Sequence, residues 1–286
     1  MNRQFLRFHP VPFLALYFAL TWVPMWLAVA SARWHWPIPP LLFQVLGGLG
    51  APAAALIMVY RSGDVHLVRD YWDRLLNPRR MRAPWWPVTL FTVPALMVAA
   101  VALSTLLGES WEQLAWSPRF RAGPLLFTVI LLFFGPIPEE LGLRGYGTDS
   151  LCARTGVLQG SLILGALWSL WHLPLVFLPG SYQNQLLRDL LLTAAYFSIP
   201  VSWTIIMHWI FYRTHRSTLS AILFHAAGNF AGEAWLPGDT ARIIQAMLLL
   251  LVAAAVVMAD GRTFRSRPAP FSPQEPHPTW VPPEHV

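Results

Sequence analysis

The sequence predicts an all-α membrane protein, a polytopic bundle of about eight transmembrane helices. Of its 286 residues, 55% are hydrophobic and only 12% are charged, and the mean hydropathy is +0.46. A soluble domain usually carries about 25% charged residues. Several apolar runs approach about 20 residues, which is the length that a helix needs to cross a bilayer. These two features together exclude an ordinary soluble fold.

Three spans are predicted in the first part of the chain. The first apolar run, residues 11–30, is too long for the core of a signal peptide, and no clear cleavage site follows it. The second, residues 39–60, contains the small-residue sequence GGLGAPAAA, which allows close contact between helices. An amphipathic helix near residues 64–76 follows, with apolar residues at helical spacing beside several arginines, so we expect it to lie on the inner leaflet. The third span covers residues 87–107.

Five further spans are predicted in the second part of the chain. They cover residues 123–144, 158–178, 187–212, 218–236 and 243–258. The tail that follows, residues 260–286, is rich in proline and arginine. Such a composition cannot build a packed core, so we expect the tail to be disordered.

The arginines predict the orientation in the membrane, because the chain contains no lysine. Eight spans place both termini on the same side. With the N-terminus inside, 15 of the 20 arginines fall on the inner side and 5 on the outer side. By the positive-inside rule, both termini are expected in the cytoplasm. The net charge of +6 is explained by these loops, and without a basic patch interleaved with aromatic residues we expect no nucleic-acid partner.

The most unusual stretch is FFGPIPEELGLRGYG, in which charged residues follow an apolar run. Ionisable residues inside a membrane segment are unfavourable by about 2.5–3.5 kcal/mol each and usually face partners within the protein. Glu140 and Arg144 are four residues apart, so they share a helix face and are expected to form an ion pair. Glu139 is rotated by about 100° from Glu140 and is expected to face the histidines described next. Prolines just before the glutamates are expected to break the helix and open a cavity. A helix end with solvated charges is the alternative interpretation.

Three polar residues in later spans could complete a site with Glu139. His172 lies in the fifth span, in WSLWHLP, and His225 and Asn229 lie four residues apart on one face of the seventh. Each of them alone could simply hydrogen-bond to a neighbouring helix. Together with Glu139 they are expected to converge on one water-accessible cavity, because isolated polar groups are unfavourable in lipid.

These residue types favour the hydrolysis of a peptide bond. A desolvated glutamate is a competent base for water, and histidine and asparagine side chains can stabilise an oxyanion. Glu139, His172 and His225 could instead bind a zinc ion that polarises the water, so the residues leave open whether the cofactor is zinc or none. The sequence contains no HExxH and no GxSxG motif, and Cys152 lies away from both histidines.

Two other classes of protein are compatible with buried polar residues in a membrane. One is a catalytically silent membrane protein, such as a bacteriocin immunity factor or a scaffold. The other is a transporter, since buried charges also line ion paths. The absence of an internal repeat argues against a transporter. A scaffold has little need of a base, two histidines and an amide at one depth, so the enzyme is favoured.

Three motifs, taken together, resemble those of the CAAX-protease and bacteriocin-processing family (CPBP, also called Abi) of intramembrane endopeptidases. That family has Glu-Glu-x-x-x-Arg, Phe-x-x-x-His and His-x-x-x-Asn motifs in this order. The corresponding residues here are 139–144, 168–172 and 225–229. Trp168 stands where phenylalanine is usual, and we expect this replacement to affect packing rather than chemistry.

The resemblance implies a role for each motif residue. Glu139 would activate the water, with Glu140 beside it. The remaining catalytic residues would be His172, His225 and Asn229, and the structural support would come from Arg144 and Trp168.

The resemblance covers about residues 123–236, and together with hydropathy and composition it predicts how the chain is organised. Residues 1–122 would form the N-terminal spans and the amphipathic helix, residues 123–259 a CAAX-protease-like catalytic bundle, and residues 260–286 the tail. The expected partners are a peptide or membrane-protein substrate and the lipid bilayer. The expected location is a bacterial cell membrane.

Overall fold

The computed structural model describes residues 9–268, and this part of the chain contains helices and no strand. Within it, six helical segments are long and apolar enough to cross a membrane: Pro10–Trp34, Pro40–Arg61, Trp85–Thr105, Pro124–Thr155, Leu190–Arg213 and Asp239–Ala259. Two shorter helices occupy the positions of the predicted fifth and seventh spans. The predicted fold class, an all-α polytopic membrane bundle, is confirmed.

The first part of the bundle contains five helices: α1 (Pro10–Trp34), α2 (Pro40–Gly48), α3 (Gly50–Arg61), α4 (Val65–Leu76) and α5 (Trp85–Thr105). The second predicted span is therefore formed by α2 and α3 together. Its small residues allow a close approach to α1, because a Cβ atom on Gly50 would overlap with Thr21 Oγ1. Short 3₁₀ turns follow α4 and α5, at Pro78–Arg80 and Trp111–Leu114.

The predicted amphipathic segment is the helix α4, and the face that it buries carries charged as well as apolar residues. Leu67 and Tyr71 are buried there together with Asp70 and Arg74. Arg74 is fully buried. The helix is therefore attached to the protein through polar contacts as well as apolar ones.

The segment that carries the two glutamates is divided into several short helices: α6 (Pro118–Ala122), α7 (Pro124–Phe133), α8 (Pro136–Gly142), a π-helix (Leu143–Gly147) and α9 (Thr148–Thr155). The predicted break before the glutamates is confirmed, since α7 ends at Phe133 and α8 begins at Pro136. Proline lacks an N–H group and disfavours a helical conformation in the residue before it, so the helix stops at this point and restarts with proline in its first turn.

The rest of the described chain forms seven helices: α10 (Val157–Trp171), α11 (Leu173–Val176), α12 (Tyr182–Leu186), α13 (Leu190–Arg213), α14 (Thr218–Glu233), α15 (Asp239–Ala259) and α16 (Gly261–Arg265). The predicted fifth span is therefore interrupted at His172, since α10 ends at Trp171 and the short helix α11 begins at Leu173, just before Pro174. The predicted tail begins with α16, and its residues 269–286 lie outside the described part of the chain.

The core of the bundle surrounds the segment that carries the glutamates. α13 packs between α10 and α15, while α14 packs against both α5 and α8. α8 comes very close to α3, because a Cβ atom on Gly142 would lie 2.7 Å from the Cβ atom of Ala51. Trp168 of α10, Trp203 of α13 and Phe224 of α14 belong to one buried cluster. The polar residues of the three motifs lie among these helices.

Candidate active site

Of the two adjacent glutamates, Glu140 has more contacts with charged and polar side chains. Its Oε2 lies 3.0 Å from Arg144 Nη1, and its Oε1 accepts hydrogen bonds from Arg144 Nη1 at 3.2 Å and from His225 Nδ1 at 2.9 Å. Glu140 and Arg144 are both fully buried. The Arg144 guanidinium also donates to Thr204 Oγ1 at 3.1 Å. The ion pair expected from the spacing of Glu140 and Arg144 is therefore present, and His225 joins it.

Glu139 has a different environment, although it is the next residue. Its Oε2 accepts a hydrogen bond from Trp168 Nε1 at 2.7 Å. Its Oε1 accepts no hydrogen bond from any group in residues 9–268. The side chain keeps slight exposure, 8% for Glu139 against 0% for Glu140. Of the two carboxylates, Glu139 therefore has the oxygen that is available to a water molecule, whereas the direct contact to a histidine is made by Glu140.

Both histidines use the same ring nitrogen to bind the protein. His225 Nδ1 donates to the carboxylate of Glu140, and His172 Nδ1 donates to the carbonyl oxygen of Trp168 at 2.9 Å. Because a carboxylate and a carbonyl can only accept, each Nδ1 carries a proton. Nε2 of each ring makes no hydrogen bond within residues 9–268 and is the nitrogen left for a water or a substrate. His225 is buried, and His172 is half-buried.

Asn229 and Glu139 both lie near Gly135, at the break between α7 and α8. A Cβ atom on Gly135 would lie 3.2 Å from Asn229 Nδ2 and 3.9 Å from Glu139 Oε1. A side chain at this position would therefore crowd the amide and approach the free oxygen of the carboxylate. Gly135 was not among the predicted site residues, although a glycine directly before a proline within an apolar run is a recognisable signal.

Trp168 lies at the centre of the predicted site and contacts residues of all three motifs. Its ring centroid lies 5.2 Å from that of His225 and 6.5 Å from that of His172. The Arg144 guanidinium carbon lies 5.0 Å from the centre of the same ring. The expectation that tryptophan affects only packing is corrected here, because its indole N–H also donates to Glu139.

The residues considered as zinc ligands do not form a zinc-binding set as they are arranged. Zinc in proteins takes three or four nitrogen, oxygen or sulfur donors at about 2.0–2.3 Å. Within residues 9–268, no group of three or more histidine, cysteine, aspartate or glutamate side chains is placed to hold a metal ion. Glu139 Oε2 and His225 Nδ1 are already engaged with Trp168 and Glu140. We therefore derive no catalytic step through a metal.

A buried cluster of charged residues supports the site from the side of α4. Arg74 donates to the carbonyl oxygens of Arg144 and Gly145 at 3.2 and 2.7 Å, and to Asp149 Oδ2 at 2.9 Å. These carbonyl groups belong to the π-helix that follows the glutamates. Asp70 pairs with Arg74 at 2.9 Å, and Arg216 pairs with both Asp70 and Asp149. This role of Arg74 was not predicted, because the local pattern of α4 does not show which distant carbonyl groups the side chain meets.

Asp70 is ionised within this cluster despite its burial. Burial raises the pKa of the Asp70 carboxyl, but Arg74, Arg216 and Arg80 outweigh the burial and hold that pKa below its ordinary value. Carboxylates paired in this way favour the folded state only while they are charged.

The chain was compared with known proteins. Residues 121–231 match the family described as type II CAAX prenyl endopeptidase Rce1-like, and this range includes all three motifs. CAAX prenyl protease 2 of Methanococcus maripaludis is 32% identical over 226 residues, which cover 77% of this chain and 82% of the relative. The chain belongs to the CAAX prenyl protease family.

As a CAAX-protease-like intramembrane endopeptidase, the protein is a hydrolase embedded in a membrane. The comparisons support the endopeptidase over the rival classes considered from the sequence, which were a catalytically silent immunity factor or scaffold and a transporter. The region that matches the CAAX protease family contains α7 to α13 and most of α14, so it covers the helices that carry the three motifs.

Proposed function

We propose that the protein cleaves a peptide bond of a membrane-associated substrate with a water molecule that Glu139 activates. The observation that carries this proposal is the free Oε1 of Glu139, which lies at the gap where Gly135 has no side chain. A carboxylate in a dry, low-dielectric site is a stronger base than one in water. A base must also lie within hydrogen-bond reach of the proton that it removes, about 2.6–3.2 Å, and an oxygen without a protein partner meets this requirement.

The chemistry requires only groups of this chain, a water molecule and the peptide. Glu139 Oε1 takes a proton from the water, and the water oxygen bonds to the carbonyl carbon of the peptide. The Asn229 amide N–H is placed to stabilise the developing oxyanion. Glu139 then returns the proton to the leaving nitrogen as the C–N bond breaks, which yields a carboxylate and an amine.

In this proposal, Glu140 holds the side chains of Arg144 and His225 in place. It neutralises Arg144 and accepts from His225 Nδ1, so it fixes the tautomer and the orientation of that ring. His225 Nε2 and His172 Nε2 then remain to bind the water or the substrate. Glu140 is fully buried and its oxygens face Arg144 and His225, which supports Glu139 rather than Glu140 as the base.

We place the site toward the cytoplasm, in a bacterial cell membrane, with both termini cytoplasmic. The distribution of the arginines supports this orientation. The substrate is then a peptide or protein at the inner side of the bilayer, and nucleic acid is not a partner. The name of the Methanococcus maripaludis relative makes a prenylated CAAX peptide the first substrate to assay.

The division of the chain into functional parts remains our proposal. Residues 123–259 would form the catalytic bundle, residues 1–122 would enclose it on the side of α1 to α5, and residues 260–286 would form a tail outside it. The contacts of α3 with α8 support an enclosing role for the first part.

The test is a cleavage assay on the full chain in lipid vesicles, with a prenylated CAAX peptide and with non-prenylated membrane peptides. Glu139→Gln keeps the shape of the side chain but removes the base, so it should lower turnover by about 10²- to 10⁴-fold. Glu112→Gln is the matched control, because Glu112 is exposed in the loop after α5, and it should be as active as the wild type.

Two outcomes would count against the proposal. If Glu139→Gln cleaves as fast as the wild type, the base is another group. If the wild type cleaves none of the peptides, the catalytically silent membrane protein becomes the better description. The metal content of the purified protein should be measured, and the cleavage assay should be repeated with a chelator. A cleavage rate that falls with the chelator would show that the glutamate and histidine side chains rearrange around a metal.

A further inference from the structure

Trp168 makes a polar contact that the proposed mechanism does not yet use. Its indole Nε1 donates to Glu139 Oε2 at 2.7 Å, which is a short hydrogen bond for this pair of groups. Trp168 is buried, with 2% of its surface exposed. Its carbonyl oxygen also accepts from His172 Nδ1. One residue of α10 therefore holds both the carboxylate and one histidine.

The chemistry of the indole suits it to direct a carboxylate. Its N–H is a donor that cannot accept a hydrogen bond, so it can bind Glu139 only through a carboxylate oxygen. Hydrogen bonds to an ionised acceptor are roughly twice as strong as neutral ones. The Arg144 guanidinium and the ring of His225 also lie against the indole and restrict its movement. When Oε2 is held by the indole, Oε1 is the carboxylate oxygen left near the gap at Gly135.

We propose that Trp168 is a positioning residue whose indole N–H holds Glu139 Oε2 so that Oε1 meets the attacking water. This inference rests on the proposed function, in which Glu139 is the base. The simpler role would be to fill space under Arg144 and beside His225, which a phenylalanine ring could also do. The two roles differ in one atom, the indole nitrogen.

Two substitutions at this position separate the donor from the bulk of the side chain. Trp168→Phe keeps a large ring but removes the N–H. Trp168→His loses the second ring but keeps a nitrogen at the place of Nε1, because imidazole and the five-membered ring of indole have the same shape. If the N–H positions Glu139, kcat should fall by about 10- to 100-fold in Trp168→Phe, with KM unchanged, and Trp168→His should recover part of this loss.

The control is a second buried tryptophan that contacts the first. The Trp203 ring centroid lies 6.2 Å from that of Trp168, but the buried Trp203 Nε1 has no hydrogen-bond partner within residues 9–268. Trp203→Phe therefore removes an N–H that binds nothing, and it should keep the kcat of the wild type. Thermal unfolding of all variants in detergent reports the loss of packing separately from the loss of turnover.

The outcomes distinguish this inference from the function on which it rests. If Glu139→Gln is inactive but Trp168→Phe turns over like the wild type, the positioning role is wrong and the base is retained. The role is also wrong if Trp168→His is slower than Trp168→Phe, because bulk then matters more than the donor. If Glu139→Gln is itself active, the proposed function fails first.

In the Glu139→Gln background, adding Trp168→Phe should not lower the residual rate further, whereas a purely structural role would lower it again.

Discussion

Glu139 and Glu140 are adjacent in the chain, yet their carboxyl groups are held by different partners. Glu140 is enclosed by a cation and an imidazole, and Glu139 is held at one oxygen by an indole. On a helix, neighbouring residues point about 100° apart, so two adjacent carboxylates reach different helices. Glu140 can then neutralise the charge of Arg144 while Glu139 remains available for the reaction.

The first prediction at this scale concerns Glu140→Gln. The substitution leaves the guanidinium of Arg144 buried without a counter-charge, and breaking one side of a buried ion pair destabilises a protein by about 3–5 kcal/mol. We expect a clearly lower midpoint of thermal unfolding in detergent, together with slower cleavage because His225 loses its orientation. Glu139→Gln, which breaks no ion pair, should unfold close to the wild-type temperature. Equal unfolding midpoints for Glu140→Gln and the wild type would show that the pair contributes little.

At the scale of the elements, α4 is joined to the helix of the glutamates by buried charges. Short π-helical segments are rare overall but frequent at functional sites. Arg74 donates to two of these carbonyl oxygens and to Asp149. The helix α4 thereby stabilises the irregular backbone that follows Glu139 and Glu140. A buried polar network of this kind is stable only if all of its members are satisfied.

The second prediction follows from the charge of Asp70 in this cluster. Because the arginines hold its pKa below the ordinary value, near 3.9 for aspartate, the carboxylate stabilises the folded state above about pH 4. This contribution should disappear as the pH falls through the lower pKa of the folded state. Asp70→Asn should therefore unfold at a lower temperature than the wild type at pH 6, and the difference should shrink below about pH 4.

The measurement is the thermal unfolding midpoint of both proteins in detergent between about pH 3 and pH 7. Glu112→Gln serves again as an exposed control and should follow the wild type throughout. A constant difference between Asp70→Asn and the wild type over the whole range would mean that packing, and not the charge, is lost.

At the scale of the whole molecule, the fold is a helical bundle that buries a polar site among membrane helices. A membrane helix can be interrupted only where its free backbone groups are buried in protein or line a cavity. Both interruptions of the segment Pro124–Thr155 meet this condition, since α8 packs against α3 and α14, and the π-helix packs against α3 and α4. The enclosing helices are therefore necessary for the irregular segment that carries the glutamates.

The third prediction concerns the orientation of this bundle. Reporter domains fused after Arg82 and at the C-terminus should both give a cytoplasmic signal, because the arginines on that side outnumber those on the other by 15 to 5. A fusion in the loop between α5 and α7 should give the opposite signal. An extracytoplasmic signal from either of the first two fusions would contradict an even number of spans with internal termini.

The sequence by itself determined the fold class, the positions of the spans and the residues that could carry chemistry. It could do so because hydropathy, proline positions and the i,i+4 rule act over short distances along the chain, as the break before Pro136 and the pair Glu140–Arg144 illustrate. Helix ends were less predictable, since the described helix of the glutamates continues to Thr155 through a π-helix.

Only the tertiary structure decided which groups meet across helices. The bond from Trp168 to Glu139, the bond from His225 to Glu140, and the reach of Arg74 to the π-helix all join segments far apart in sequence. Such contacts depend on the rotation and depth of each helix, which are set by packing at residues such as Gly142 and Ala51. A local pattern shows which residues share a helix face. Which other helix that face contacts depends on how all the helices pack together.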